Sequence, residues 1–317
     1  MVKKMITKLD QILQQARKGV PIRVAVAAAQ DEAALSAVLN ALEMGIVQAE
    51  LFGDAKEIEK IADNPQLLKK ATVHSAANPL QAAEQAIQAI RNGQAELLLK
   101  GQIKTAELLR RVLDAETGLR TGQLLSDVFV CEWPTARRIR LIMITDGGVN
   151  LKPSLNDKIQ ILTNAVGVCQ ALGNPLPKVA ILSAIETINP NLQSTQDAAI
   201  LTKMNQRGQI PGCIVDGPLA LDNALSAEAA AIKGIHSAVA GAADILLCPD
   251  IESANILAKS TTYFARLRLA HVLIGAKVPV LIPSRADTAD SKLLSIALGK
   301  IVYHHQIEAG GQSRKMQ

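Results

Sequence analysis

Aromatic residues are nearly missing from this chain: one Trp, two Tyr and three Phe make up 2% of its 317 residues. Proteins that bind exposed bases stack them on aromatic rings. Trp133, Tyr263, Tyr303, Phe52, Phe129 and Phe264 are too few and too scattered for such a platform. Long basic runs are lacking as well. Apart from Arg137-Arg138-Ile139-Arg140, no run of Lys and Arg exceeds a pair, so the net charge of +5 points to a small anionic ligand and not to nucleic acid. No stretch reaches the roughly 18 uninterrupted apolar residues that span a bilayer. Met1-Val2-Lys3-Lys4 leads into an amphipathic segment and not into the apolar core of a signal peptide. These absences predict a cytoplasmic protein with no membrane partner.

Paired cysteines are also missing. Cys131, Cys169, Cys213 and Cys248 lie far apart, three in strand-like runs and one in a helical run, which predicts reduced core thiols. The five His residues do not cluster with Cys or carboxylates at metal-ligand spacing, so no metal site is expected. Neither the Gly-Lys-Ser/Thr nucleotide loop nor the dinucleotide glycine fingerprint occurs in its required context. ATP hydrolysis and nicotinamide binding by those routes are therefore disfavoured.

What is present is aliphatic. Apolar residues reach 49%, so Ala, Leu, Ile and Val must fill the interior, as suits helices packed on a buried parallel sheet. Short β-rich runs at 22–27, 47–52, 72–74, 96–100, 140–145, 178–182, 212–215, 244–247, 271–274 and 278–282 alternate with helical patterns. Among those, 223–232 reads as one Ala-rich helix, 287–302 as the last helix, and the tail from Glu308 as disordered. The length favours two domains, and a boundary falls near 140–145. The expected layout is 1–141 plus 286–317 as one α/β domain and 142–285 as the other.

Polar signatures follow several strands. Lys100-Gly101-Gln102-Ile103-Lys104-Thr105 would aim backbone amides and two ammonium groups at one spot, a setting for phosphate. Asp146-Gly147-Gly148-Val149-Asn150, Asp216-Gly217-Pro218 and Pro249-Asp250-Ile251-Glu252 end three more strands, with Asn255 and Lys259 one turn apart on the following helix. Each loop taken alone also reads as ordinary turn and cap chemistry. Val278-Pro279-Val280-Leu281-Ile282-Pro283 runs into Ser284-Arg285-Ala286-Asp287. This segment is either a ligand-binding strand end or a helix start capped by Ser284 or Asp287. In a parallel sheet all these loops emerge at one edge.

In this order the set resembles the phosphate acetyltransferase and phosphate butyryltransferase family. The resemblance is carried by Lys100-Gly101 with Thr105, by Thr145 to Asn150 with Pro153, and by Asp216 to Asp222. It continues through Val239 to Asp244, Pro249 to Glu252, Asn255, Lys259 and Ser284 to Asp287. The butyryl branch is nearer, because the acetyl branch has Gly where Ala286 stands. The resemblance implies two α/β/α domains with mostly parallel sheets, like those of isocitrate and isopropylmalate dehydrogenases, with the active site in a cleft between them. It also implies a homodimer or higher homo-oligomer. The partners implied are acyl-CoA and inorganic phosphate, giving acyl phosphate and CoA with no cofactor and no metal.

By the same resemblance Ser284 meets the thioester or CoA sulfur, and Arg285 holds phosphate or the oxyanion. Arg110 is the match to a phosphate-binding Arg, and Lys100, Gly101, Thr105, Asp146, Asn150, Asp216, Asn255 and Lys259 are substrate-binding candidates. The acetyl branch places a catalytic Asp where this chain has Ser291; Asp287 is the first choice to replace it, and Asp290 the other. Two rival readings remain at this stage. One is a non-catalytic CoA or acyl-phosphate sensor; the other is a related-fold dehydrogenase or acyl-phosphate enzyme.

Overall fold

Many of the helix starts in this chain are written in its Asp, Asn and Ser residues. Asp31, Asp54, Asn64, Asn78, Ser154 and Asp250 each accept a backbone N–H in the first turn of the helix that follows. The structure is a computed structural model and describes residues 5–135, 138–284 and 286–315. In chain order the first elements are α1 (Leu9–Ala16), β1 (Ile22–Ala27), α2 (Glu32–Glu43), β2 (Val47–Gly53) and α3 (Ala55–Ile61). Then come α4 (Pro65–Leu68), β3 (Thr72–Ser75), α5 (Pro79–Arg91), β4 (Leu97–Lys100) and α6 (Thr105–Val112). A second series holds β5 (Ser126–Pro134), β6 (Ile139–Thr145), α7 (Leu155–Ala171), β7 (Lys178–Leu182) and α8 (Gln193–Gln206). It continues with β8 (Ile214–Leu219), α9 (Leu221–Leu225), α10 (Ala227–Ile232), β9 (Ile245–Leu247) and α11 (Ile251–Tyr263). The chain closes with β10 (Leu269–Ile274), β11 (Val280–Leu281) and α12 (Ala289–Lys315).

Two units result. The first is Asp10–Gln123 with Ala270–Gln317, and the second is Met1–Leu9 with Leu124–Leu269. The first unit orders its strands β3-β2-β1-β4-β11-β10. All its pairs are parallel except β10 with β11. The second unit orders its strands β5-β6-β9-β7-β8, parallel except β5 with β6. These are the α/β class and the mostly parallel sheets that the alternating pattern predicts.

The boundaries fall elsewhere than at 141/142 and 285/286, for reasons of pairing. β5 pairs with β6 from Val128↔Thr145 to Pro134↔Ile139, which takes the segment before 141 into the second unit. β11 pairs with β4 through Val280↔Leu98 and Leu281↔Leu99, which takes the segment after 270 into the first.

Three further differences from the sequence reading have local causes. β5 is a strand that the pattern leaves unassigned. The stretch 223–232 is interrupted at Ser226, which is extended and caps α10 through the Ala229 N–H, so two short helices replace one. α12 begins at Ala289 and continues through Gly310-Gly311 to Lys315, where disorder was expected. Once nucleated, a helix extends at the cost of ordering one residue per hydrogen bond. The aliphatic core packs closely: a Cβ on Gly299 of α12 would lie 2.7 Å from Leu97 Cδ1 of β4.

Candidate active site

In the first unit the parallel register of β11 beside β4 sets the site. Leu281 lies opposite Leu99, so Lys100-Gly101 and Ile282-Pro283-Ser284 leave the sheet side by side at its carboxyl edge. In open α/β sheets that edge is where ligands bind. A cavity of about 340 Å³ opens there, lined by Lys100, Ile103, Lys104, Thr105, Pro283 and Ser284. Lys104 and Thr105 also form the N-terminus of α6, which has no side-chain cap, so its first N–H groups and helix dipole favour an anion.

The loop does not offer all its amides. Gly101 N–H donates to Ala27 O at 2.8 Å and Gln102 N–H to Ala28 O at 2.7 Å, so both are consumed in fixing the loop to the end of β1. A Cβ on Gly101 would meet Ala28 O at 2.0 Å, which explains the glycine. Lys100 is buried, and its Nζ curls back toward the carbonyls of Gly101 and Ile103, both at 3.3 Å. Arg110 is exposed on α6 and does not line this cavity.

Ser284 and Asp287 hold each other in a reciprocal turn. Ser284 N–H donates to Asp287 Oδ2 at 2.7 Å, and Asp287 N–H donates to Ser284 O at 3.1 Å. Neither residue caps α12. Thr288 does so, its Oγ1 accepting the Ser291 N–H at 3.2 Å. Arg285 lies outside the described residues. Two residues that sequence reasoning passed over support the turn. His271 on β10 is buried with Nε2 4.0 Å from Asp287 Oδ2, and Lys292 donates to the backbone carbonyls of Ser284 and Asp287. His271 sits in an apolar strand run, and a polar residue in such a run was the available signal.

In the second unit, Asp146 organises the loop after β6. Its Oδ1 accepts from the N–H groups of Asp127 (3.1 Å), Gly148 (2.9 Å) and Val149 (3.2 Å). Its Oδ2 accepts from Asn150 N at 3.0 Å and Asn150 Nδ2 at 2.5 Å. Asn255 joins from α11, donating through Nδ2 to Gly147 O at 2.8 Å. Burial first, and then the neighbouring Asp127, push the Asp146 carboxyl above its ordinary value, against the hydrogen bonds from Gly148 and Asn150. Asp127 is itself buried on β5 and packs against Gly148, where a Cβ would lie 2.4 Å from Asp127 Oδ2. A lone Asp in the apolar run Ser126 to Cys131 was the signal for it.

Asp146, Asn150 and Asn255 thus form one network. Asp216 is not joined to it by a hydrogen bond among the described residues; its Oδ1 accepts the Gly217 N–H at 2.9 Å. That Asp216-Gly217-Pro218 segment lies inside β8 and not after a strand. Lys259 is exposed one turn beyond Asn255 on α11. The four cysteines are free and buried, and burial pushes the thiols of Cys131 and Cys248 up to about 12 and that of Cys213 up to about 11. They are poor nucleophiles at neutral pH.

A family model described as "Phosphate acetyl/butaryl transferase" matches residues 66–299. A phosphate butyryltransferase from Clostridium beijerinckii is 43% identical over 302 residues, covering 94% of this chain and 98% of its own. A phosphate acetyltransferase from Thermotoga maritima is 43% identical over 300 residues, covering 92% and 99%. The crystal structure of a branched-chain phosphotransacylase from Enterococcus faecalis V583 superposes with a TM-score of 0.79 at 32% identity, covering 90% of this chain and 99% of that one.

Proposed function

The chain belongs to the phosphate acetyl/butyryl transferase family and is a phosphate acyltransferase; on that premise we propose that it moves a short acyl group, of the butyryl type, from coenzyme A to inorganic phosphate. The single observation that carries the reading is the first-unit cavity. Two lysines, a helix N-terminus and the Ser284 turn converge on a space of about 340 Å³. That is the environment a phosphate dianion requires.

A phosphate oxygen attacks the thioester carbonyl carbon, the carbonyl becomes an oxyanion, and the C–S bond then breaks with CoA leaving as thiolate. The proton released by the attacking phosphate must reach the sulfur. Asp287, next to the cavity, is the group we assign to accept and return it. Ser284 hydrogen-bonds the thioester or the sulfur, and Arg285 supplies donors to phosphate or the oxyanion. Each donor aimed at the oxyanion is worth about 3–4 kcal/mol. Alignment of two bound substrates supplies up to roughly 7–11 kcal/mol more, so no covalent nucleophile is needed.

Lys100, Gly101 and Thr105 serve the phosphate side in this reading, whereas Arg110 does not line the cavity and is given no part in it. Asp146 acts by shaping its loop, while Asn150, Asp216, Asn255 and Lys259 serve acyl-CoA. The protein works in the cytoplasm as a homo-oligomer, and the exposed Tyr263 and Phe264 offer apolar surface for a second copy. The test is CoA release from a panel of acetyl-, propionyl-, butyryl- and branched acyl-CoA, with and without phosphate, in the presence of a chelator. Release that requires phosphate and is fastest with butyryl or a close neighbour is expected. Release that is equal without phosphate would sink the reading.

A further inference from the structure

Lys292 is 1% exposed and is among the largest fully buried side chains of the chain. A buried ammonium is costly unless it is hydrogen-bonded and balanced by an opposite charge. The hydrogen bonds are there: Nζ donates to Ser284 O at 3.1 Å and to Asp287 O at 3.0 Å. An opposite charge within ion-pair reach is not: among the described residues Lys292 makes no ion pair, and the Asp287 carboxylate stands 4.0 Å from the His271 ring. The turn is already closed by the reciprocal Ser284–Asp287 bonds, so closing it does not require a cation.

We infer that Lys292 is a positioning residue for the Ser284–Asp287 turn, and that its buried charge is balanced when phosphate binds in the adjoining cavity. Lys292 acts through the turn and does not line the cavity. Its two bonds fix the carbonyls at both ends of the turn, and so fix where the Ser284 hydroxyl and the Asp287 carboxylate stand. Its charge adds to those of Lys100 and Lys104, and a buried charge is screened less by solvent and salt than an exposed one. This rests on reading the cavity as the phosphate site.

The experiment uses the full chain and inorganic phosphate as probe. Calorimetric titration of phosphate alone is followed by initial rates with phosphate and acyl-CoA varied separately. Lys292→Met removes the charge at similar volume, and Lys292→Arg keeps it. The Met variant is expected to weaken phosphate binding and raise the phosphate KM about tenfold, equivalent to about 1.4 kcal/mol, with the acyl-CoA KM within about twofold. Lys292→Arg should recover a good part of the loss. Lys70→Gln, which deletes an exposed charge elsewhere on the first unit, should change nothing. If the Met variant does not fold, Lys292→Gln carries the same expectation. Wild-type phosphate affinity in the uncharged variant overturns the inference. So does a parallel rise in both KM values that Arg does not relieve. If the wild-type chain itself binds no phosphate, the reading of the cavity fails, and the inference with it.

Discussion

Asp287 Oδ2 accepts the Ser284 N–H at 2.7 Å and lies 4.0 Å from Nε2 of the buried His271. The longer distance is beyond a hydrogen bond but within reach of an ion pair when the imidazole is protonated. One carboxylate is thus tied to the serine beside the cavity and faces the only ionisable ring of β10. Asp290, in contrast, is exposed in the first turn of α12.

This separates proton transfer from helix capping. Asp287→Asn keeps an oxygen for the Ser284 N–H but cannot carry a proton. We expect turnover to fall at least about tenfold, a cautious figure beside the ~10²–10⁴ of a lost proton-transfer group, with melting temperature little changed. Asp290→Asn should leave turnover intact. Thr288→Ala, which removes the actual cap, should cost about 1 kcal/mol of stability and spare the rate per folded molecule. Turnover and melting temperature measured on all three decide it. A crippled Asp290→Asn would move the assignment to that residue.

Arg285 carries a second expectation, from its place in the Ser284-Arg285-Ala286-Asp287 motif. Arg285→Lys keeps the charge but loses the planar fork of donors, and turnover should fall steeply, by up to about 10²–10³-fold for a lost oxyanion donor. Comparable rates for folded variant and wild type would remove Arg285 from the site.

Gly101 is a steric prediction. Its missing side chain leaves room for Ala28 O, which a Cβ would approach to 2.0 Å. Backbone cannot retreat as a flexible side chain can, so Gly101→Ala should destabilise the chain by about 1–3 kcal/mol. The loop that carries Lys104 and Thr105 would be displaced, so phosphate KM should rise in the fraction that folds. Denaturation and steady-state kinetics on one preparation check both.

Asp146 gives a pH signature. Because its carboxyl is raised above 3.8 in the folded chain, that chain holds the proton more tightly than the unfolded one. Its contribution to stability is therefore full below 3.8 and is lost as pH rises through the raised value. Asp146→Asn turns an N–H₂ toward the Asn150 donors or the opposite trio and should cost about 1–3 kcal/mol. The variant lacks the titration, so its deficit against wild type should narrow as pH rises from 3.8. Denaturant unfolding of both proteins across that range tests the sign; a gap that widens refutes it.

The sequence by itself determined what depends on neighbours along the chain. Alternation of β-rich and helical runs dictated an α/β protein, and Gly101 and Ser284 were marked by ending apolar strands. Helix starts at Asp31, Asn78, Ser154 and Asp250 follow from side chains that bond within their own turn. Only the tertiary structure decided which strand ends meet. Leu281 opposite Leu99 brings Ser284 beside Lys100 across more than 180 positions, and nothing local fixes that register. For the same reason β5 was missed: its partner β6 defines it as a strand and carries it into the second unit. His271 and Asp127 stand out as polar residues in apolar strand runs and Lys292 is an ordinary helical lysine, but nothing along the chain says what any of the three meets. Their roles come from a contact in space: with Asp287, with Gly148, and with the carbonyls of Ser284 and Asp287. Hydrogen-bond periodicity is a local property of the chain, whereas burial and charge balance depend on what folding places around each group.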